Sequence, residues 1–378
     1  MSEKIKKIVM IGPVYPYKGG ISHYNSLMYR SLSQVYDTEM ITFKLQYPKI
    51  LFHKEQRDYK NKDFKIAAAK YWINTVNPFN WIHSAKKIKR MMPDLIIFQW
   101  WHPYFAPCYW VMEKCLRKFS KLFLCHNIFP HERFPLDRWL VKKVLKKGDY
   151  FLVHSAMDEQ DLLSIIENPI YKKIVHPTYN VFKMQNLTKA EAREQLHILE
   201  DEKVLLFFGF VRSYKGLKHL LRALPQICER IEHIRLLIVG EFGSDKQSYM
   251  DLIENCCVKG NISLFDDYIP DCEVEKFFAA CDLVVLPYES ATQSGIVQIA
   301  YGFGKGVIVT RVGGLPEVVE SGETGYIIEP ENPGQITEAV VDYYTNEREV
   351  LFEQGIAKAA YKYSWDRMVE TIDTFLEP

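Results

Sequence analysis

The sequence has no long apolar stretch and no cysteine pairing motif. No segment approaches the 18 consecutive apolar residues of a membrane-spanning helix, and the basic amino terminus leads into an apolar run only from Ile8 to Ile11. That run is too short for the core of a signal peptide, and we expect a first β-strand there. The eight cysteines include no CxxC pair, which argues against a zinc or redox motif and favours buried thiols in a reducing cytoplasm.

Two common phosphate-binding motifs are missing as well. Gly12, which ends the first predicted strand, is followed by prolines rather than by the glycine turn of a GxGxxG dinucleotide site. Gly304 and Lys305 lack the GxxxxGK spacing of a P-loop. A phosphate site in this chain must therefore be of another kind.

The composition is that of a globular protein with an uneven distribution of charge. A chain of 378 residues with 48% hydrophobic and 25% charged residues is long enough for two ordinary domains. The net charge of +1 conceals an asymmetry, because residues 1–185 carry 30 Lys and Arg against 15 Asp and Glu, and the remainder carries 18 against 32. Six of the seven tryptophans also fall in the first part. The basic half could face anionic lipid, a phosphorylated acceptor or nucleic acid.

Strand and helix patterns alternate along the whole chain, which predicts βαβ units and parallel sheets in an α/β fold. A polar stretch at residues 177–200 separates two sets of these patterns. The predicted strands of the first set are residues 7–11, 39–43, 95–98, 122–125, 150–153 and 174–175. Those of the second set are residues 204–208, 235–239, 262–265, 283–286, 307–310 and 325–328.

The loop after the strand at 204–208 carries two cations, Arg212 and Lys215. It leads directly into a helical pattern, and open parallel sheets bind ligands at connections of this kind. Arg offers a planar fork and Lys a point charge, and both suit phosphate oxygens. A solvated loop without a ligand is the ordinary alternative.

Two strand ends in the first half carry further candidates. Gly19 and Gly20 begin a helix, where backbone N–H groups can approach an anion, although a plain glycine turn would show the same pattern. His126 immediately follows the strand at 122–125 and is a candidate for chemistry. A hydrogen-bonded structural histidine is the commoner role for a residue at such a position.

The loop after the strand at 283–286 is the last candidate. Ser294 and Gly295 begin an apolar helix whose first N–H groups can face a diphosphate, and Thr292 lies beside them. Glu289 and Gln298 could accept hydrogen bonds from sugar hydroxyls.

Three helical patterns of the first half are rich in Lys and Arg. They fall near residues 81–92, 108–121 and 140–147. Each alone is more often a solvated face, but three in one half favour an interface with anionic membrane, where each charge contributes about 1 kcal/mol.

Together these segments resemble the retaining, nucleotide-sugar-dependent glycosyltransferases of family 4, which have the two-domain GT-B fold. The similarity runs almost end to end and depends on the order and spacing of short motifs. These are Gly19-Gly20, His126-Asn127 with Pro130-His131-Glu132, Val153-His154-Ser155, Phe208-Gly209 with Arg212 and Lys215-Gly216, Ser294-Gly295, residues 312–317 with Gly325, and Tyr363-Ser364-Trp365.

The resemblance implies two Rossmann-like, doubly wound domains facing across a cleft. Residues 1–180 would form the acceptor-binding domain and residues 181–362 the nucleotide-sugar-binding domain. Residues 363–378 would form a helix that crosses back and packs on the first domain.

The resemblance also implies roles for particular residues. Arg212 and Lys215 would hold the donor diphosphate together with the amides around Ser294, Gly295 and Ile296. Gly19 and Gly20 would close over it from the first domain, and His126 would lie near the transferred sugar carbon. The family needs no metal and no cofactor besides the donor, in keeping with the absence of a strict Asp-x-Asp motif.

The sequence departs from the family in two ways. The family often has two glutamates separated by seven residues, but Val297 stands at that distance from Glu289, and register matching puts Ile299 at the second position. Arg212 and Lys215 are also closer together than the usual basic pair. Altered donor contacts or a catalytically silent scaffold are the alternatives that these departures leave open.

The predicted function is retaining transfer of a sugar from a nucleoside-diphosphate sugar to an acceptor hydroxyl, in polysaccharide, cell-envelope glycan or glycolipid synthesis. A nucleotide-sugar epimerase of the same fold is a further alternative. The expected acceptor is a glycan or a lipid-linked molecule, and nucleic acid is not an expected partner, since no known RNA-binding motif is present. The expected location is the cytoplasm, with peripheral contact at the inner face of the membrane.

Overall fold

A computed structural model describes residues 5–51, 55–59, 62, 64–130, 134–243 and 245–377. The chain divides into two compact units. Unit 1 comprises Met1–Ile174 and Trp365–Pro378, and unit 2 comprises Val175–Ser364. The sequence places the corresponding boundaries at 180/181 and 362/363.

Each unit is built on one parallel sheet. The sheet of unit 1 has the strand order β3-β2-β1-β4-β5-β6-β7, and that of unit 2 has the order β10-β9-β8-β11-β12-β13. The strands are β1 Lys7–Ile11, β2 Asp37–Leu45, β3 Lys70–Asn74, β4 Leu95–Trp100, β5 Ser120–Cys125, β6 Tyr150–Val153, β7 Tyr171–Lys173, β8 Lys203–Phe208, β9 Ile234–Val239, β10 Ile262–Phe265, β11 Leu283–Leu286, β12 Gly306–Thr310 and β13 Gly325–Ile328.

Helices connect most successive strands, as parallel pairing requires. In chain order they are α1 Gly20–Leu32, α2 Pro78–Arg90, α3 Ala106–Cys115, α4 Asp137–Leu145, α5 Ala156–Leu163, α6 Lys189–Gln195, α7 Leu217–Arg230, α8 Lys246–Glu254, α9 Asp271–Ala280, α10 Gly295–Gly302, α11 Leu315–Val318, α12 Pro333–Thr345, α13 Arg348–Lys358 and α14 Trp365–Asp373.

Both sheets have the doubly wound order in which the first strand of the unit is central and the chain then changes direction. In unit 1 this reversal lies between β1 and β4, and in unit 2 between β8 and β11. The predicted α/β class with two doubly wound parallel sheets is therefore confirmed. Open sheets of this kind bind ligands outside the carboxyl ends of the strands at the reversal.

The core of unit 1 has helices on both faces of its sheet. On one face, Phe98 stacks on Phe123 with ring centroids 5.2 Å apart, and Trp81 of α2 and Tyr109 of α3 pack into the same cluster. On the other face, Tyr24 of α1 contacts Trp365 of α14 at 5.1 Å, so the C-terminal helix packs on the first helix of the unit. Apolar strands covered on both faces explain why the sequence shows continuous hydrophobic runs.

Two edge strands of unit 1 differ from the sequence prediction. The strand predicted at residues 174–175 is wrong, because β7 lies at Tyr171–Lys173, where Lys172 and Lys173 are exposed. No strand is predicted from the sequence at the position of β3. Both strands lie at the ends of the sheet, where only one neighbour pairs with them, so their sequences lack the apolar pattern of the central strands.

Glu113 of α3 is a buried carboxyl group. Neither of its oxygens has a hydrogen-bond partner among the described residues. Burial raises the pKa of this carboxyl to about 9, although the charges of Lys121 and Lys147 partly oppose the effect. Glu113 is therefore neutral in the folded protein at pH 7, whereas an unfolded chain ionises it near pH 4.3.

Replacing Glu113 with Gln is expected to stabilise the protein at alkaline pH. Between about pH 4.5 and 9 the folded state retains a proton that the unfolded state loses, so this group lowers the free energy of unfolding as the pH rises. The variant should gain on the order of 2–4 kcal/mol over wild type at pH 8 and less than about 1 kcal/mol at pH 5. Urea unfolding at both pH values measures this difference. Equal stability differences at pH 5 and pH 8 would contradict the neutral state of Glu113.

Candidate functional site

The loop after β8 is shaped by two glycines. Gly209 ends the strand with φ +101°, and Gly216 precedes α7 with φ +65°. A Cβ atom at Gly216 would lie 1.9 Å from the carbonyl oxygen of Pro287. Glycine at position 216 therefore lets the loop after β8 pack directly on the loop after β11.

Arg212 and Lys215 lie on this loop, where Arg212 immediately precedes a short 3-10 turn at Ser213–Lys215 and Lys215 is the last residue of that turn. Arg212 is exposed and Lys215 is half-buried. The Lys215 ammonium lies 5.7 Å from the centre of the Tyr288 ring. In the part of the chain that the structure describes, neither side chain is paired with a carboxylate or hydrogen-bonded. The structure thus brings two uncompensated positive charges to the carboxyl end of β8.

The electrostatics of Lys215 differ from those of an ordinary surface lysine. Burial, and secondly the neighbouring charge of Arg212, lower the pKa of Lys215 to about 8. Both effects destabilise the charged form of Lys215, and an anion placed beside the ammonium group would stabilise that form. The site is therefore electrostatically suited to a negatively charged ligand.

The start of α10 lies beside the same loop. A Cβ atom at Gly209 would be 3.6 Å from Cδ1 of Ile296, in the first turn of α10. Ser294 precedes the helix, but among the described residues no side-chain hydrogen bond caps its first N–H groups. The Ser294 hydroxyl lies instead 3.4 Å from the Tyr288 hydroxyl. The amides of Gly295 and Ile296 thus add the positive end of a helix to the two cations.

Two other residues of the loop after β11 hold its shape. The carbonyl of Thr292 accepts a hydrogen bond from the N–H of Gly314 at 2.8 Å. A Cβ atom at Gly313 would lie 1.7 Å from the carbonyl oxygen of Ala291, so the loop after β12 also packs tightly here. Thr292 is buried at this contact.

Glu289 is engaged by α7. Its Oε1 accepts hydrogen bonds from Lys218 Nζ at 2.8 Å and His219 Nε2 at 2.9 Å, and its backbone N–H donates to the Tyr214 carbonyl at 2.7 Å. Burial acts to raise the pKa of Glu289, but the bonds from Lys218 and His219 outweigh it, and the pKa is below its ordinary value. The charged Glu289 therefore links the loop after β11 to α7 and to the loop after β8. Because its carboxylate is bonded to Lys218 and His219, it does not pair with Arg212 or Lys215.

Gln298 is placed differently from the other candidates of α10. Its side chain is buried, and neither amide atom has a hydrogen-bond partner among the described residues. The backbone carbonyl of Gln298 accepts a hydrogen bond from the backbone N–H of Tyr179 at 3.3 Å. The proposed contact of Gln298 with a sugar stays a prediction.

In unit 1, His126 lies at the carboxyl end of β5. Its Nε2 lies 2.9 Å from Gln99 Oε1 on β4, and because an amide oxygen only accepts, Nε2 carries the proton. The ring of Tyr24 meets His126 edge-on at 4.8 Å, and the ring of His154 lies 5.9 Å from it. Burial lowers the pKa of His154 to about 4, so that residue is neutral at pH 7.

Gly19 and Gly20 lie at the start of α1. Gly19 has φ +108° and no side chain with which to cap the helix, and among the described residues a Cβ atom at either glycine would meet no atom within 4 Å. Both glycines follow β1, so they share the carboxyl edge of the unit 1 sheet with His126. His131 and Glu132 of the sequence motif lie outside the described residues.

Several site residues were not found from the sequence. Lys218 and His219 lie on the predicted helix, and Gln99 and Tyr288 each follow a predicted strand. Nothing in the local sequence indicates the bonds from Lys218 and His219 to Glu289, because these residues are about 70 positions from it. A pairing of this kind becomes visible only when β8 and β11 are neighbours in the sheet.

Neither a metal centre nor a membrane-spanning helix is found in the described part of the chain. No three His, Cys, Asp or Glu side chains among those residues are arranged to hold a metal ion. Over the same residues, every helix is too short or too polar to cross a bilayer.

Comparison with known sequences places the chain among glycosyltransferases. An uncharacterised glycosyltransferase of Methanocaldococcus jannaschii is 30% identical over 57% of this chain and 57% of its own length. Another from the same organism is 25% identical over 97% of this chain and 96% of its own. The lipopolysaccharide 1,2-N-acetylglucosaminetransferase of Salmonella typhimurium is 29% identical, over 48% of this chain and 50% of its own.

Solved structures share the fold. Anabaena Alr3699/HepE, in complex with UDP and glucose, superposes with a TM-score of 0.74 at 16% identity, covering 98% of this chain and 99% of its own. Sucrose-phosphate synthase from Thermosynechococcus elongatus gives a TM-score of 0.70 at 18% identity, with 98% of each chain covered. The two parallel-sheet units are those of the GT-B fold. Residues 188–376 match the family described as glycosyl transferases group 1, and the chain belongs to that family.

Proposed function

We propose that this protein transfers a sugar from a nucleoside-diphosphate sugar to an acceptor hydroxyl and retains the anomeric configuration, as a member of family 4. The observation that carries the proposal is the pair of cations, Arg212 and Lys215, which have no carboxylate partner among the described residues and lie beside the start of α10. This arrangement suits a diphosphate, which carries charge on several oxygens and accepts hydrogen bonds from all three groups. Structures of the same fold have been solved with UDP and with UDP-glucose, which supports a donor of this class.

The two cations would act on the leaving group. As the bond between the sugar and the diphosphate breaks, negative charge grows on the bridging oxygen, and the nearby positive groups offset it. A metal ion is not needed for this role, because Arg212, Lys215 and the amides of Gly295 and Ile296 supply the positive charge. The proposal therefore includes transfer that needs no metal and no cofactor besides the donor.

The acceptor side is assigned to unit 1. His126 lies near the transferred sugar in the proposal, with its Nε2 proton directed at Gln99 and its ring fixed by Tyr24. The basic surface of unit 1 favours an acceptor at an anionic membrane, such as a lipid-linked or cell-envelope glycan. The similarity to an enzyme of lipopolysaccharide synthesis points to the same acceptor class. The proposal therefore includes a cytoplasmic location with peripheral contact at the inner face of the membrane.

The low pKa of Lys215 predicts the pH dependence of donor binding. Lys215 is protonated below about pH 8 in the free protein, so donor affinity should be constant below that value and fall up to about tenfold per pH unit above it. In the variant Lys215→Arg the charge persists, and the fall above pH 8 should disappear. Calorimetric titration with a nucleoside diphosphate between pH 6.5 and 9.5 measures both proteins. An identical pH profile in the two would show that Lys215 is not the titrating group.

Product analysis tests the proposed reaction. A thermal-shift screen against nucleotides and nucleotide sugars first identifies the donor, since a bound donor raises the melting temperature. The purified protein is then incubated with that donor, with and without a membrane extract as acceptor, and the anomeric configuration of the product is determined by proton NMR. Sugar transferred only when the acceptor is present, with retained configuration, is the expected result.

Two other outcomes would overturn the proposal. Conversion of the donor into an epimeric nucleotide sugar without an acceptor would indicate an epimerase of the same fold. Donor binding without any conversion would indicate a silent scaffold, an outcome favoured by the presence of Ile299 where the family often has a second glutamate.

A further inference from the structure

Three neighbouring helices of unit 1 form one continuous outer surface. α3 packs between α2 and α4, and residues on the inner side of all three helices share the core on one face of the sheet. The opposite sides of the helices are exposed. We call the outer side of α2, α3 and α4, together with the residues 134–136 that precede α4, the three-helix face.

The three-helix face carries charge of one sign only. The only carboxylates in these helices are Glu113 and Asp137, and both are buried. Exposed cations are present on each helix, including Lys89 on α2, Lys114 on α3 and Lys143 on α4. Cations in the last turn of a helix are common, because they complement the helix dipole. A dipole effect does not explain why three adjacent helices expose no compensating acid, since solvated faces usually mix both signs.

Tryptophans hold several of these cations in place. Lys114 Nζ lies 3.5 Å from the centre of the Trp110 ring, and Lys143 Nζ lies 5.0 Å from Trp110 and 4.9 Å from Trp139. Cations over aromatic faces are stabilised by the ring quadrupole. The four side chains therefore form an alternating ladder of lysine and tryptophan across α3 and α4.

Large apolar side chains are exposed on the same face. Phe79 is 85% exposed, Leu136 71% and Trp139 57%. Single exposed apolar residues are normal, but these three lie at or just before the starts of α2 and α4. Because each of these helices follows a strand of a parallel sheet, their starts lie at the carboxyl edge of that sheet, where His126 also lies.

We propose that the three-helix face binds the surface of an anionic lipid bilayer. Lysines and arginines contact the headgroup phosphates, while Phe79, Leu136 and Trp139 enter the interface between headgroups and acyl chains. A polynucleotide or an acidic polysaccharide would satisfy the cations but would leave Leu136 and Phe79 in water. The combination of cations and exposed aliphatic and aromatic side chains therefore favours a bilayer.

This orientation has a consequence for the acceptor. The apolar residues lie at the edge of the sheet that carries His126, so bilayer binding brings this edge to the membrane surface. The acceptor would then be a glycan anchored in that bilayer. This consequence rests on the proposed function, but bilayer binding itself can be measured without any sugar.

Vesicle flotation tests the proposal with the full-length protein. Vesicles of phosphatidylcholine alone are compared with vesicles containing 30–40% phosphatidylglycerol, a composition of about the charge density that polybasic segments recognise. We expect binding to the anionic vesicles only, and weaker binding as salt rises. Lys143→Gln should weaken the partition coefficient about fivefold, and Trp139→Ser should weaken it about tenfold or more. The matched control is Lys358→Gln, which removes an exposed lysine of α13 in unit 2 and should bind like wild type.

Three results would overturn the proposal. The first is equal loss of binding for Lys358→Gln and Lys143→Gln. The second is full binding by Trp139→Ser, which would show that attraction is electrostatic without insertion. The third is tight binding of a single-stranded oligonucleotide with no flotation. Circular dichroism confirms that each variant is folded, and the thermal shift with the donor is recorded separately, so a failure of bilayer binding is distinguished from a failure of the proposed function.

Discussion

Replacing both Arg212 and Lys215 with alanine is expected to lower the transfer rate by about 10²–10⁴-fold. Each charge-assisted hydrogen bond is worth about 1.5–3 kcal/mol, and each factor of ten in rate corresponds to about 1.4 kcal/mol. Neither cation has a carboxylate partner among the described residues, so the substitution leaves no buried carboxylate unpaired. The loss should therefore come from the ligand site rather than from unfolding.

The measurement is the rate of sugar transfer together with donor affinity, for wild type and three variants. Lys218→Ala is the matched control, because Lys218 lies one turn along the chain but is already paired with Glu289. It should retain activity within about tenfold, since the loss of one partly exposed ion pair costs less than about 1 kcal/mol. The single variant Lys215→Ala should fall between the control and the double variant. Wild-type transfer and binding by the double variant would show that the diphosphate is bound elsewhere.

Asp282 is the polar centre of unit 2. Its two carboxylate oxygens accept hydrogen bonds from Arg193 Nη2 at 3.1 and 3.3 Å, from Lys189 Nζ at 2.6 Å and from the Val204 N–H at 2.7 Å. Tyr344 donates a further bond at 3.2 Å. Asp282 and Arg193 are both buried. The cluster joins α6, the start of β8, the start of β11 and α12.

Replacing Asp282 with Ala is expected to destabilise the fold by about 3–5 kcal/mol. The substitution leaves the Arg193 guanidinium buried without its counter-charge, which is the costly way to break a buried ion pair. Urea unfolding followed by far-UV circular dichroism measures the effect, because this signal includes the helices of unit 2. Tryptophan fluorescence is unsuitable, since all seven tryptophans lie in unit 1.

The control for this prediction is Glu338→Gln. Glu338 pairs with Arg230 in unit 2, but both side chains are exposed. Exposed pairs contribute about 0–1 kcal/mol, so the unfolding midpoint should barely change. Equal shifts for Asp282→Ala and Glu338→Gln would show that burial of the Asp282 cluster does not matter for stability.

The α/β fold could be predicted because the central strands are buried on both faces. Residues 204–208 and 283–286 are apolar throughout, and each is followed by a loop and a helical pattern, so element type and order follow from the sequence. The edge strands β3 and β7 could not be predicted in the same way. Their residues are partly exposed, and pairing with one neighbour decides where they begin and end.

The candidate site was predictable where a single loop defines it. Arg212, Lys215, Ser294 and Gly295 could be chosen from their positions after apolar strands. The fate of Glu289 could not be predicted, since its bonds to Lys218 and His219 depend on α7 packing beside the loop after β11. Burial of Gln298 likewise depends on what packs around α10.

The charge asymmetry of the chain was visible in the sequence, but the three-helix face was not. Composition gives the excess of Lys and Arg in the first half. Only the helix packing shows that Glu113 and Asp137 are turned inwards and that Lys143 lies between Trp110 and Trp139.

A crystal of the protein soaked with a nucleoside-diphosphate sugar tests the central claim most directly. The account predicts electron density for the diphosphate within hydrogen-bonding distance of the Arg212 guanidinium, the Lys215 ammonium and the amides of Gly295 and Ile296. A donor bound at another place, with the loop after β8 unchanged and no ligand beside Lys215, would contradict it.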